Sequence, residues 1–346
     1  MTNMEDQSVK NDMLVRVSDL KVHFRLRRKH PMAQPSYVRA VDGVSFDIPK
    51  GSTFGLVGES GCGKTTTGLA ITRLIPVTSG RVSLGDINVT DLNGEELRLA
   101  RRRMQIIFQD PYSSLNPRAR AGTIVQEPLK LMNILPPAEH EERIAQLFQY
   151  VGLRPEQRHL FPHQFSGGQR QRIVIARALG SQPDLIVCDE PVSALDVAIQ
   201  AQILNLLRKL QREFNLTYLF ISHDMGVMQH MCDEIAVMYL GTIVEQASWN
   251  DFFKQPFHPY TLALLSAVPS ADTKVRGMTR RIKLEGDPPS PIDPPEGCRF
   301  ASRCPFTQTV CQNEMPPLRA IKEQHLVACH LISDADSAKS LWQHMA

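Results

Sequence analysis

The chain has 346 residues, of which 42% are hydrophobic and 22% charged, with a formal net charge of +3. The length suffices for one large domain or two, the composition is that of an ordinary globular protein, and so small a charge gives no argument for nucleic acid as a partner. No apolar run reaches the roughly 18 residues that a membrane-spanning helix requires.

In chain order, Met1 to Asp12 reads as the frayed polar tail of a cytoplasmic protein, without the basic-then-apolar pattern of a secretion signal. Leu14–Val17 and Val44–Ile48 read as strands. The basic run Arg25-Leu26-Arg27-Arg28-Lys29-His30 between them reads as a solvated loop, with lipid head groups as a lesser alternative. Thr53–Val57 is a further strand and Thr66–Leu74 is helix-like. Strands are also expected at Gln105–Phe108, Leu185–Cys188, Thr217–Ile221 and Glu234–Met238. Several of these are unbroken Val/Ile-rich runs, as in strands buried on both faces, so the layout is α/β. Between Asn116 and Pro183 the apolar spacing turns helical, for example Ile144, Leu147, Phe148 and Val151, and an inserted helical subdomain is expected there. After residue 255 prolines crowd in, among them Pro288, Pro289, Pro291, Pro294, Pro295, Pro305, Pro316 and Pro317. An irregular appendage over 256–346, pinned by something other than a large core, should follow a main domain over 13–255.

The residues with chemistry sit at the ends of these strands. Gly58-Glu59-Ser60-Gly61-Cys62-Gly63-Lys64-Thr65 lies between a strand and a helix that begins near Thr66, the context that gives G-x-x-x-x-G-K-[ST] its meaning. Its glycines let successive N–H groups turn toward one anion at a helix N-terminus. Lys64 adds a cation for the outer phosphates, and Thr65 a hydroxyl for Mg²⁺. A nucleoside triphosphate is the implied ligand. Leu185–Cys188 runs into Asp189, a candidate Mg²⁺ holder, and Glu190, a candidate base for in-line attack by water. His223 follows the next strand and could hold Glu190 and the water. Gln109 follows Gln105–Phe108 and could contact Mg²⁺ and the water. Taken singly, each of these could equally be an ordinary residue in a surface turn. Phe165-Ser166-Gly167-Gly168-Gln169 opens a helix reaching about Leu179. Ser166 is a good N-cap, and uncovered glycine N–H groups make a second anion site, unless this is only a flexible helix start.

These motifs and their order resemble the ATP-binding-cassette (ABC) ATPases over roughly Leu14 to Gln246, which implies a P-loop NTPase fold with an inserted helical subdomain. Gly58–Thr65 resembles the Walker A loop, Gln109 the Q-loop glutamine, and Phe165–Gln169 the signature, with Phe where Leu is commonest. Leu185–Asp189 resembles Walker B, followed by Glu190. Ser193-Ala194-Leu195-Asp196 resembles the D-loop, and His223 the switch histidine. The resemblance implies ATP and Mg²⁺ as cofactors. It also implies a head-to-tail pair in which each ATP lies between one chain's Walker A loop and the other's signature, closing on ATP and reopening on hydrolysis. An aromatic that stacks on adenine is implied before Walker A, with Phe24 the first choice and Tyr37 the second.

Asp110-Pro111-Tyr112-Ser113-Ser114-Leu115-Asn116-Pro117-Arg118, His258-Pro259-Tyr260-Thr261 and Gly286-Asp287-Pro288-Pro289-Ser290-Pro291 extend the resemblance to nearly the whole chain. They are similar to the ATP-binding subunits of dipeptide and oligopeptide importers, and the insert Arg25–Tyr37 most resembles the second such subunit. The implied partners are two transmembrane permeases, a second ATPase and, through the complex, an extracytoplasmic solute-binding protein. The implied location is the cytoplasmic face of the cell membrane. Related importers carry nickel, glutathione or other peptides, so the cargo does not follow. A mechanochemical ABC protein would usually show two cassettes or a long heptad insertion, and a small-molecule kinase would not need Phe165–Gln169 or Ser193–Asp196.

Seven cysteines occur. Cys62, Cys188 and Cys232 fall in the nucleotide-binding region, whereas Cys298, Cys304, Cys311 and Cys329 cluster in the tail. Four thiolates can hold Zn²⁺ or an iron–sulfur cluster. The resemblance favours [4Fe–4S], and four inert buried thiols are the alternative.

Overall fold

The computed structural model describes residues 13–27, 34–267, 282, 284 and 286–337. The tail before Met13 and residues Arg28 to His30 of the basic run lie outside them. The described strands are β1 (Met13–Arg25), β2 (Tyr37–Pro49), β3 (Thr53–Val57), β4 (Ser79–Leu84), β5 (Ile87–Asn88), β6 (Met104–Ile107), β7 (Leu185–Asp189), β8 (Thr217–Ile221), β9 (Glu234–Tyr239), β10 (Thr242–Ser248), β11 (Arg319–Lys322) and β12 (His325–Val327). They form two sheets: a small antiparallel one in the order β2-β1-β4-β5, and a large one in the order β11-β12-β10-β9-β3-β8-β7-β6.

The centre of the large sheet is parallel, with β3 between β8 and β9, and β7 between β8 and β6. Every residue of β3, β7 and β8 is buried, which is why these runs are apolar without alternation. The two-residue period survives in what each side chain meets. Leu185 and Val187 join the core shared with the small sheet and the helix Lys64–Ile71. Ile186 and Cys188 join the core shared with the helical segment and the helix Val197–Phe214. Phe46 of β2 stacks on Phe54 of β3 at 4.5 Å, locking the small sheet onto the large one.

Between β6 and β7 the chain forms the helices Ala121–Leu131, His140–Tyr150 and Gly167–Gly180. Ile144, Leu147, Phe148 and Val151 are all buried in one cluster, as their spacing predicts. No helix among the described residues is long and apolar enough to cross a membrane.

The C-terminal region departs from the expectation of an irregular appendage. A helix forms at Pro259–Ser266, and β12 pairs with β10, with β11 beyond it, so the tail extends the main sheet. The buried Glu245 of β10 anchors this join. Its carboxylate accepts the backbone N–H groups of Phe257 (2.6 Å) and His258 (2.9 Å) and meets Nε2 of the buried His325 on β12 at 2.7 Å. At four and three residues, β11 and β12 are too short to carry a local periodicity, so the sequence pattern could not announce them.

Candidate nucleotide site

The loop Gly58–Thr65 runs from the C-terminal end of β3 into the helix Lys64–Ile71. Two of its three glycines are sterically required. Gly63 has φ +109°, and a Cβ there would lie 2.1 Å from the Ala40 carbonyl. Gly58 has φ +153°, and a Cβ would lie 2.2 Å from the Met238 carbonyl. Lys64 is buried, and its Nζ donates to the carbonyls of Gly58 (2.8 Å) and Glu59 (2.9 Å), which holds the ammonium over the loop. Cys62 lies beneath with its thiol pKa raised, chiefly by burial.

The strand ends deliver the acids. Thr65 Oγ1 donates to Asp189 Oδ1 at 3.0 Å, so the hydroxyl and carboxylate chosen for Mg²⁺ are adjacent. Burial raises the Asp189 pKa, with Glu190 adding to the rise and the Thr65 bond and Lys64 opposing it. Glu190 takes a left-handed φ of +48°, and its N–H donates to the Ile221 carbonyl at 2.9 Å. This bend turns it out of the strand direction, a local strain of the kind found at functional sites. Its Oε1 meets Nδ1 of the exposed His223 at 2.8 Å. Gln109 and Asp189 line one open cleft of about 540 Å³ with Phe108, Asp110, Ser113, Ser114 and Arg177. The sequence-predicted Gln109, Asp189, Glu190, His223, Lys64 and Thr65 thus gather around the C-terminal ends of β3, β6, β7 and β8, the side of a parallel sheet where ligands bind.

The signature segment is separate from this group. Ser166 caps the helix Gly167–Gly180 in a reciprocal box: its Oγ accepts from the Gln169 N–H, and Gln169 Oε1 accepts from the Ser166 N–H. Phe165 is buried, Ser166 and Gly167 are exposed, and Gly168 packs under Ile199. Among the described residues no hydrogen bond joins Phe165–Gln169 to Gly58–Thr65. Asp196 stands exposed at the start of the helix Val197–Phe214. Phe24 and Tyr37 are both partly exposed, on neighbouring rungs of the β1–β2 ladder.

In the tail, the Cys298 N–H donates to the Cys311 carbonyl at 2.8 Å. Burial pushes the Cys304 thiol up to about 12, and the nearby Cys329, Cys298 and Cys311 add to the shift. Burial likewise takes Cys329 up to about 11, with Cys298 and Cys311 adding to it. Among the described residues no group of three or more His, Cys, Asp or Glu side chains is placed to hold a metal. Two residues with a place beside the loop escaped the sequence reading. Tyr260 accepts the Glu59 N–H at 2.9 Å, and Arg303 pairs with the Glu59 carboxylate. The only sequence hint was Tyr260's presence in His258-Pro259-Tyr260-Thr261.

Residues 41–193 match the family model described as ABC transporter, and residues 244–311 match the one described as oligopeptide/dipeptide transporter, C-terminal region. The chain is 46% identical over 325 residues to an oligopeptide transport ATP-binding protein, AppF, of Bacillus subtilis, covering 93% of this chain and 98% of that one. It is 50% identical over 301 residues to a putative peptide import ATP-binding protein of Brucella ovis, covering 87% and 94%. Among solved structures, a dimeric, post-hydrolysis ATP-binding cassette MJ0796 bound to ADP and Pi is 28% identical with a TM-score of 0.60, covering 68% of this chain and 98% of that chain. CbiO1 of Clostridium perfringens, part of the ABC transporter complex cbiONQ, is 25% identical with a TM-score of 0.60, covering 70% and 91%. The strand-end acids, the glycine loop and the near full-length likeness to these relatives agree, and the chain belongs to the ABC transporter ATP-binding family as an ATP-hydrolysing cassette subunit.

Proposed function

We propose that the chain is the energy-coupling ATPase of a peptide importer and works as one half of a head-to-tail cassette pair. The observation that carries the pairing is the exposed Ser166–Gly167 helix start, which makes no bond to its own phosphate loop. A second anion site that faces outward is suited to the γ-phosphate held by another cassette. In this reading the N–H groups of Gly58–Thr65 and Lys64 hold the triphosphate. Thr65, Asp189 and Gln109 would hold Mg²⁺, which supplies charge neutralisation for the phosphates. Glu190, braced by His223, orients a water and takes its proton as the water oxygen bonds the γ-phosphorus and the bond to the ADP oxygen breaks. Loss of the shared phosphate lets the pair part. Phe24 or Tyr37 stacks on adenine, and Asp196 sits at the pair interface.

The cargo reading rests on the relatives named for oligopeptide and peptide transport. Nickel, glutathione or another peptide-like solute is the alternative, and a non-transport ABC ATPase a more distant one. The partners are two permeases, a second ATPase and a solute-binding protein, with this chain at the cytoplasmic face of the membrane and no nucleic acid involved. The segment Gln109–Pro128, where Tyr112 is 55% exposed, is the proposed seat of a permease helix. Co-expression with the two permeases, the second ATPase and the solute-binding protein, followed by reconstitution, tests the reading. Peptide-loaded binding protein should stimulate ATP turnover. Turnover indifferent to peptides but raised by nickel would move the cargo, and failure to assemble with any permease would remove the transport role.

Cys298, Cys304, Cys311 and Cys329 are the proposed ligands of a [4Fe–4S] cluster, with Zn²⁺ the alternative, because four thiolates can serve either. Anaerobic purification should give a brown protein containing iron. A colourless, iron-free product would leave four buried thiols.

A further inference from the structure

Glu59, the second residue of the phosphate loop, is bound through all three of its polar parts. Its carboxylate receives both terminal nitrogens of Arg303, at 2.8 and 3.1 Å. Its N–H donates to Tyr260 Oη at 2.9 Å. Its carbonyl accepts Lys64 Nζ at 2.9 Å. Two of these partners come from the C-terminal region. Arg303 keeps only 7% of its side chain exposed, and Tyr260 is fully buried against Tyr239 and Phe300. A forked guanidinium fixes a carboxylate in orientation as well as in place. The same tail segment grips the other shoulder of the loop. Arg299 bonds Asp42 at 2.5 Å, the Asp42 N–H donates to the Gly241 carbonyl, and the Gly241 N–H donates to the Cys62 carbonyl.

We propose that Arg303 and Tyr260 are positioning residues for ATP, which act through Glu59 to fix the phosphate loop and the Lys64 ammonium in their binding geometry. The C-terminal region is then a working part of the nucleotide site. This rests on the reading that Gly58–Thr65 holds the triphosphate. Misplacing such a loop weakens nucleotide binding more than it alters the bond-breaking groups Glu190 and His223, which no tail residue hydrogen-bonds among the described residues.

MgATP turnover by the full chain tests it. Arg303→Ala should raise KM for MgATP about tenfold with a smaller change in kcat. Arg303→Lys should recover part of the loss. Tyr260→Phe keeps the packed ring and removes only the acceptor for Glu59, and should raise KM about threefold. The double variant Glu59→Ala, Arg303→Ala should be no worse than Glu59→Ala alone, because one contact has been removed twice. A wild-type KM in both Arg303→Ala and Tyr260→Phe overturns the proposal, as does strict additivity in the double variant. If Arg303→Ala does not fold, Tyr260→Phe and Glu59→Gln decide alone. A merely structural anchor would lower the melting temperature and leave KM in place. Failure of the underlying reading is distinct, since Lys64→Ala would then still bind MgATP.

Discussion

His223 Nδ1 lies 2.8 Å from Glu190 Oε1, although 33 positions separate them in the chain. Parallel pairing is the cause. Asp189 on β7 is opposite Ile221 on β8, so the residues just past the two strand ends emerge side by side. The left-handed bend at Glu190 then swings its carboxylate toward the imidazole. Glu190→Gln should therefore lower kcat by about 10²- to 10⁴-fold while ATP still binds, the usual cost of losing a positioned base. Size-exclusion chromatography with ATP should show a trapped pair. Undiminished turnover would remove Glu190 from the role of base. His223→Ala should also lower kcat, with KM for ATP nearly unchanged.

Lys64→Ala should abolish ATP binding in calorimetry with the fold retained in circular dichroism. Among the described residues the ammonium hydrogen-bonds only to its own loop, through the Gly58 and Glu59 carbonyls and the Cys62 sulfur, so truncation removes the cation without opening the core. Full affinity in this variant would mean that the loop amides alone hold the phosphates.

Asp189 has a carboxylate whose pKa burial has raised. For such a group the favourable contribution to folding is present below the ordinary carboxylate value and lost as pH rises through the raised one. Asp189→Asn, measured without nucleotide or Mg²⁺, should then raise the melting temperature at pH 7 by roughly 1–3 °C. The gain should shrink as pH falls toward the ordinary carboxylate range and the wild-type carboxyl takes up its proton. Asparagine can still accept the Thr65 hydroxyl, so packing is preserved. Mg²⁺-dependent turnover should collapse in the same variant. A lower melting temperature at pH 7 would contradict the assignment.

His258 is buried, and burial lowers its pKa from 6.5 to about 4 against the opposing pull of Glu245. Its neutral Nδ1 accepts the Tyr260 N–H at 3.1 Å. The neutral form is favoured in the fold, so its contribution is complete above about pH 6.5 and is lost as pH falls toward 4. The loss is on the order of 3 kcal/mol. His258→Asn retains an acceptor for the helix start and should flatten the fall in chemical-denaturation stability between pH 6.5 and 4. An unchanged slope would place the acid sensitivity elsewhere.

The phosphate loop was readable because its demands are local: positive φ at Gly63, close approach at Gly58, and a strand before and a helix after. Unbroken apolar runs likewise marked β7 and β8, since strands covered on both faces need no polar side. The pairing of β12 with β10 left no such mark. It depends on Glu245, whose partners Phe257, His258 and His325 lie 12, 13 and 80 positions further along a proline-rich stretch. The β4–β5 hairpin was also missed, because Ser79–Leu84 begins with three exposed residues and Ile87–Asn88 is only two residues long.

The order of motifs in the sequence thus determined which chemistry the chain carries, because each motif's backbone requirements are met within a few residues. The tertiary structure alone decided which of those groups meet. Thr65 touches Asp189 and Glu190 touches His223 because β3, β7 and β8 end at one edge of the large sheet. Arg303 reaches Glu59 across 244 positions because the tail folds back over the loop. Contacts of that range arise from the packing of whole layers, and no local pattern encodes them.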